Sequence, residues 1–254
     1  MAITLRDALD LNSNDVISLV GGGGKTTLLY WLAQELHQQG VILTTTTKMK
    51  HPLDAVPLVL WENQHQVQEE LKMLLPQKTP LVANCLLPEQ KVQGLSLKQV
   101  QKLTGLKLAE TLVIEADGAK GCSLKGYRNF EPVLTPLTSL LIQVVGADVI
   151  GKQLNSMWVH GAKQVAAHTG VQLGDRLDVN AVAQALLYPY ARWQDCLIGA
   201  RRVVVINKVD TMRDMISVKL LATRLLESGR VSKVLLTSAY CGQVLQTYSR
   251  NNVF

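Results

Sequence analysis

The chain has 254 residues, 47% of them hydrophobic and 5% aromatic, with a formal net charge of +6. That length and aliphatic content can bury one large α/β core as a single domain over 1–254, and the basic residues are spread along the chain rather than clustered with aromatics, which argues against a nucleic-acid partner. The cysteines Cys85, Cys122, Cys196 and Cys241 form no C-x-x-C pair, so no zinc site is indicated, and no apolar run is long enough to span a bilayer. The first ten residues read as a helix with a Thr4 to Asp7 capping pattern and lack the basic and apolar regions of a signal peptide, so a cytoplasmic protein with reduced thiols is expected.

An apolar strand at 16–20 runs into Gly21, Gly22, Gly23, Gly24, Lys25, Thr26 and Thr27, and then into the helical pattern Leu28, Leu29, Leu32, Leu36. Consecutive glycines let several N–H groups converge on one anionic group, and the helix start behind them favours negative charge. Lys25 is expected to reach the β- and γ-phosphates and Thr26 to ligate Mg²⁺. Position 19 is Leu19, so the full G-x-x-x-x-G-K-[ST] spacing is not met. The compact form resembles the variant loop of SIMIBI-class P-loop NTPases, with Val20 where many of those carry an extra lysine, which argues against their dimer-dependent ATPases.

Gly40 closes the next turn, and a strand at 41–43 leads into Thr44-Thr45-Thr46-Thr47-Lys48. Ligands of open α/β sheets bind outside the carboxyl ends of the strands, which makes Thr47 and Lys48 substrate candidates, whereas Thr44 and Thr45 read as β-branched strand residues. Strands are expected at 56–61 and 81–83, and helices at 64–75 and 97–104, the latter stopped by Gly105.

A strand at 111–114 delivers Glu115-Ala116-Asp117-Gly118-Ala119-Lys120. A magnesium nucleotide site needs a carboxylate beside the phosphate loop, and the period of two puts Glu115 and Asp117 on one side if the strand continues. Asp117 is the expected metal-side residue and Glu115 its water-positioning neighbour. Lys120, as a catalytic cation, and Lys125, as a substrate contact, follow in a polar loop with Arg128. Cys122 lies beside the site as an incidental thiol. The next strand, at 140–145, ends near Asp148, and helices are expected at 157–168 and 179–187, the second capped by Asp178. His160 and His168 are eight residues apart, which does not suit a metal pair.

A last buried strand, at 203–206, ends in Asn207-Lys208-Val209-Asp210, the N-K-x-D pattern. Its aspartate can accept from N1–H and the N2 amino group of guanine, its asparagine steadies the loop, and the lysine stem covers the ring. Adenine leaves that carboxylate unpaired, so GTP is favoured over ATP. After a helix at 212–226, a strand at 234–236 leads to Thr237-Ser238-Ala239, where Ser238 and Ala239 are expected to back the base with a main-chain N–H.

Together G-G-G-G-K-T-T, T-T-T-T-K, E-A-D-G-A-K-G followed by Leu124-Lys125, V-V-G-A-D-V-I-G-K and I-N-K-V-D resemble the YqeC family over nearly the whole chain. The resemblance implies an accessory protein of selenium-dependent molybdenum hydroxylases, acting in acquisition or installation of their labile selenium cofactor, with the hydroxylase or its maturation machinery as partner. Many relatives carry an arginine after the histidine at His160; Gly161 stands there instead. The expectation is therefore a P-loop NTPase-like α/β domain, with a mainly parallel sheet and helices on both faces, that binds GTP and Mg²⁺ and hydrolyses the nucleotide. The rivals are an ATP-dependent kinase or ligase, since Mur-type ligases share the loop spacing, and a binding module switched by nucleotide without turnover.

Overall fold

The computed structural model of the chain describes residues 3–51, 56–75 and 77–250. In chain order the elements are α1 (Leu5–Ala8), β1 (Val16–Gly21), α2 (Lys25–Leu36), β2 (Val41–Thr45), β3 (Lys48–Lys50), β4 (Leu58–Leu60), α3 (Gln64–Leu74), β5 (Leu81–Ala83), β6 (Cys85–Leu87), β7 (Lys91–Gln93) and α4 (Leu97–Gly105). They continue with β8 (Thr111–Glu115), β9 (Leu124–Lys125), β10 (Leu140–Gly146), β11 (Val159–His160), α5 (Ala162–Thr169), α6 (Val179–Leu187), α7 (Tyr190–Trp193), β12 (Arg201–Asn207), α8 (Met215–Glu227), β13 (Lys233–Ser238) and β14 (Gln243–Ser249).

Nine strands form one sheet in the order β14-β13-β12-β10-β1-β8-β2-β5-β4, and every pairing is parallel except that of β13 with β14. Strands covered on both faces read as predominantly apolar runs, as 16–20, broken only by Ser18, and 203–206 do. Alternation then sorts their side chains. Ile17, Leu19, Ile142, Val144, Val203 and Val205 pack against α1 and α2, while Val20, Leu141, Val145, Val204 and Ile206 pack under α5, α6 and α8. A third cluster joins Val16, Ile42, Leu112 and Ile114 to α3 and α4. Each fully buried leucine or isoleucine contributes about 1.5–3 kcal/mol relative to exposure. The α/β class with a mainly parallel sheet and helices on both faces is therefore what the chain forms.

Local chemistry sets the helix starts. Thr4 accepts the Asp7 N–H at 3.0 Å, Asp178 accepts that of Ala181 at 2.7 Å, and Ser96 with Gln99 forms a capping box on α4. The helix expected over 157–168 is shorter: Val159 and His160 pair with Leu124 and Lys125 as a two-stranded sheet, and Gly161, at φ +80°, breaks the chain before α5. The helix expected from 212 begins at Met215, because Asp214 accepts the N–H groups of Ile216 and Ser217. The small sheet β3-β7-β6 and the antiparallel edge strand β14 were not anticipated.

The order matters for function because the chain leaves β1 towards β2 on one side and reaches β10 and β12 on the other. The carboxyl ends of β1, β8, β10 and β12 thereby lie on one edge of the sheet, the edge where such sheets bind ligands.

Candidate nucleotide site

The glycine loop after β1 is held by close contacts on each flank. Gly22 donates to the Val144 carbonyl and Gly23 to that of Cys122, both at 2.9 Å. A Cβ on Gly22 would lie 2.6 Å from the Cys122 oxygen, and one on Gly23, at φ +73°, 2.1 Å from the Gly146 nitrogen. Glycine is thus required by the approach of neighbouring backbone as well as by dihedral angle. The Gly24, Lys25, Thr26 and Thr27 N–H groups at the head of α2 have no protein acceptor among the described residues, and no side chain caps them. Four converging amides at a helix start make an anion cradle.

Lys25 is 5% exposed and turns back over the loop, donating to the Gly21 carbonyl at 2.6 Å and pairing with Asp117 Oδ1 at 2.8 Å. Burial alone would lower its pKa, but the charges of Asp117 and Glu115 hold it above the usual lysine range. Asp117 also accepts the Gly21 N–H at 2.9 Å. The acid facing Thr26 is Glu115, whose Oε2 accepts the Thr26 hydroxyl at 2.8 Å. β8 ends at Glu115, so Asp117 leaves the strand and pairs with Lys25 while Glu115 takes the Thr26 hydroxyl. Burial pushes the Glu115 pKa up, against the pull of Lys25 and the Thr26 hydroxyl. A hydroxyl beside a carboxylate that makes no direct ion pair among the described residues suits Mg²⁺, which takes one or two protein oxygens and fills its remaining positions with phosphate and water. No group of three or more acidic, His or Cys side chains suited to a metal occurs among the described residues.

Asn207 joins the glycine loop to the loop after β13. Its Nδ2 donates to the Gly23 carbonyl at 2.7 Å, and its Oδ1 accepts from Ala239 N at 2.8 Å and Thr237 Oγ1 at 3.1 Å. Lys208, at φ +61°, reaches across to Ser123 Oγ at 2.8 Å and Asp148 Oδ2 at 3.0 Å. Asp210 is exposed at the sheet edge and makes no side-chain hydrogen bond among the described residues. Ser238 is buried with its hydroxyl unpartnered among them. The Ala239 N–H, expected to face the base, is instead turned onto Asn207.

The remaining candidates divide. Lys125 is fully buried, donating to the Gly118 carbonyl at 2.6 Å and to Glu131 at 3.1 Å. Lys120, Thr27 and Lys48 are exposed, and Thr47 is half-buried, its N–H donating to Thr45 Oγ1 at 3.1 Å. The threonines that reach Glu115 are Thr45 and Thr46, which donate to its carbonyl from hydroxyl and N–H at 2.8 and 3.1 Å. Cys122 is buried and its thiol pKa is raised by that burial, the opposite of a reactive thiolate. His160 is held below the usual histidine range by burial and by Lys125. Sequence reasoning missed Glu131 and Ser123, which carry no motif; that Lys125 is buried and demands a counter-ion appears only in the fold.

The family model described as YqeC protein matches residues 17–163, more than half of the chain, from within β1 to just past β11. The chain belongs to the YqeC family. A YqeC relative from Escherichia coli (strain K12), itself described as uncharacterized, is 30% identical over 210 residues, covering 80% of this chain and 79% of its own length. No solved structure matches the chain. The YqeC match takes in the glycine loop, Glu115, Asp117 and Lys125, and stops short of Asn207. No helix among the described residues is long and apolar enough to cross a membrane.

Proposed function

We propose that this YqeC protein binds a nucleoside triphosphate with Mg²⁺, GTP in preference to ATP, and hydrolyses it. The phosphates lie in the amide cradle of Gly24 to Thr27 with Lys25 on the terminal groups, Thr26 and Glu115 serve the metal, and Asp210 selects the base. The observation that carries this reading is the Asn207 side chain, which binds the Gly23 carbonyl and the Ala239 N–H at once and so fixes phosphate loop and base loop at one spacing. The resemblance of the motifs to the YqeC pattern supports a role in maturing a selenium-dependent molybdenum hydroxylase, with turnover coupled to handling of its cofactor.

Competition of GTP against ATP for the purified protein, followed by phosphate release with and without a molybdenum hydroxylase, tests both parts. Preference for GTP with steady release supports a GTPase. Release that appears only with the hydroxylase supports the nucleotide-switched module. One observation favours ATP as a second reading: the Ala239 N–H already has an acceptor in Asn207, which leaves guanine recognition to Asp210 and Ser238. Equal affinity for the two nucleotides would favour that reading.

A further inference from the structure

Beyond the phosphate loop the buried charges continue in line. Lys25 pairs with Asp117 at 2.8 Å, Asp117 Oδ2 faces Lys125 Nζ at 3.8 Å, and Lys125 pairs with Glu131 Oε1 at 3.1 Å. The first three side chains are at most 4% exposed and Glu131 is 19% exposed. The other Glu131 oxygen accepts the Arg128 N–H at 3.2 Å, so the last acid in the line closes the turn at 128–131. From outside, Arg192 on α7 donates to the carbonyls of Arg128 and Asn129 at 3.2 and 2.6 Å. That turn carries Phe130, 69% exposed, on the surface.

A buried lysine between two acids braces a turn no better than apolar packing of the same volume. What distinguishes such a line is its response to charge placed at one end. We propose that Lys125 is a positioning residue that transmits nucleotide loading from Lys25 to the turn at 128–131. The inference rests on the reading that a triphosphate binds at Lys25. Phosphate oxygens take up the Lys25 ammonium and weaken its hold on Asp117. Asp117 then draws Lys125 across the 3.8 Å gap, the bond from Lys125 to Glu131 lengthens, and the turn loosens. Coupling of this kind is reciprocal, so a change that frees Glu131 in advance must tighten nucleotide binding.

The test uses the full chain and Mg·GTP. Backbone hydrogen exchange across 126–133 is measured with and without nucleotide, and affinity is measured for wild type, Glu131→Gln and Arg192→Ala. The expected result is faster exchange at 128–131 on loading and affinity raised by about fivefold or more in Glu131→Gln, with a smaller rise in Arg192→Ala. A mere brace would lower thermal stability and leave affinity unchanged. Wild-type binding with unaltered exchange, or with affinity unchanged or weakened in the variants, overturns the coupling and leaves the nucleotide reading standing. No binding by wild type overturns both. Should Glu131→Gln fail to fold, the exposed Arg192→Ala and the exchange data decide.

Discussion

Asn207 and Gly23, 184 positions apart in the chain, are joined by a buried 2.7 Å hydrogen bond from Nδ2 to the carbonyl oxygen. The same side chain accepts from Ala239 and Thr237, so replacing it strands polar groups on two loops. Each buried group left unsatisfied costs about 1–3 kcal/mol. Asn207→Ala is therefore expected to lose about 2–4 kcal/mol of unfolding free energy in a urea titration and to weaken nucleotide binding as well, since the loops lose their fixed spacing.

Gly23→Ala should be more damaging to the site than to the fold as a whole. Its Cβ would meet the Gly146 nitrogen at 2.1 Å, a backbone contact that no rotamer relieves. The glycine loop has to move off β10, at a cost of about 2 kcal/mol or more, and the amide cradle is lost. Circular dichroism should show retained secondary structure, while equilibrium dialysis shows no retained nucleotide.

The raised pKa of Glu115 gives a sign that can be checked. Burial comes first among its causes and disfavours the charged form, moving the folded-state value above the ordinary 4.5. Below the unfolded value both states are protonated and folding bears no penalty. As pH rises through the folded-state value the native state must hold a buried charge, and the relative stability is lost. Glu115→Gln should thus stabilise the ligand-free protein at pH 7 by on the order of 1 kcal/mol. The gain should shrink towards zero as thermal unfolding is followed down to about pH 4. The same variant should lose the dependence of nucleotide binding on Mg²⁺.

In the proposed function base choice falls to Asp210, which is exposed in the turn after β12. Asp210→Asn replaces an acceptor pair by a donor and an acceptor. It is expected to weaken GTP binding by about 2–3 kcal/mol and to favour a base with a carbonyl at position 2, such as xanthine. Titration with GTP and XTP side by side reads the exchange.

Much of the fold was legible in the sequence because parallel strands buried on both faces are predominantly apolar runs, and 16–20, 111–114, 140–145 and 203–206 all fall within observed strands. The motifs at their ends were legible because they rely on backbone geometry that few residue types permit. β14 escaped because an edge strand with one neighbour needs little apolar pattern, and Gln243, Leu245 and Gln246 face solvent. β11 was read as part of a helix because a lone Gly161 does not by itself announce a break. The separate partners of Glu115 and Asp117 were not legible for a physical reason: the period of two holds only while the strand lasts, and Asp117 lies beyond its end. The partnership of Lys125 with Glu131 spans a loop, where spacing carries no directional information.

The central claim is that a triphosphate is held where the glycine loop meets α2. Calorimetric titration of the wild-type protein and of Lys25→Ala with GTP in the presence of Mg²⁺ tests it most directly. Saturable one-site binding by wild type, weakened by about 2 kcal/mol or more in Lys25→Ala through loss of a charge-assisted contact, is the predicted result. Absence of heat for any purine triphosphate, or an affinity indifferent to the loss of Lys25, would contradict it.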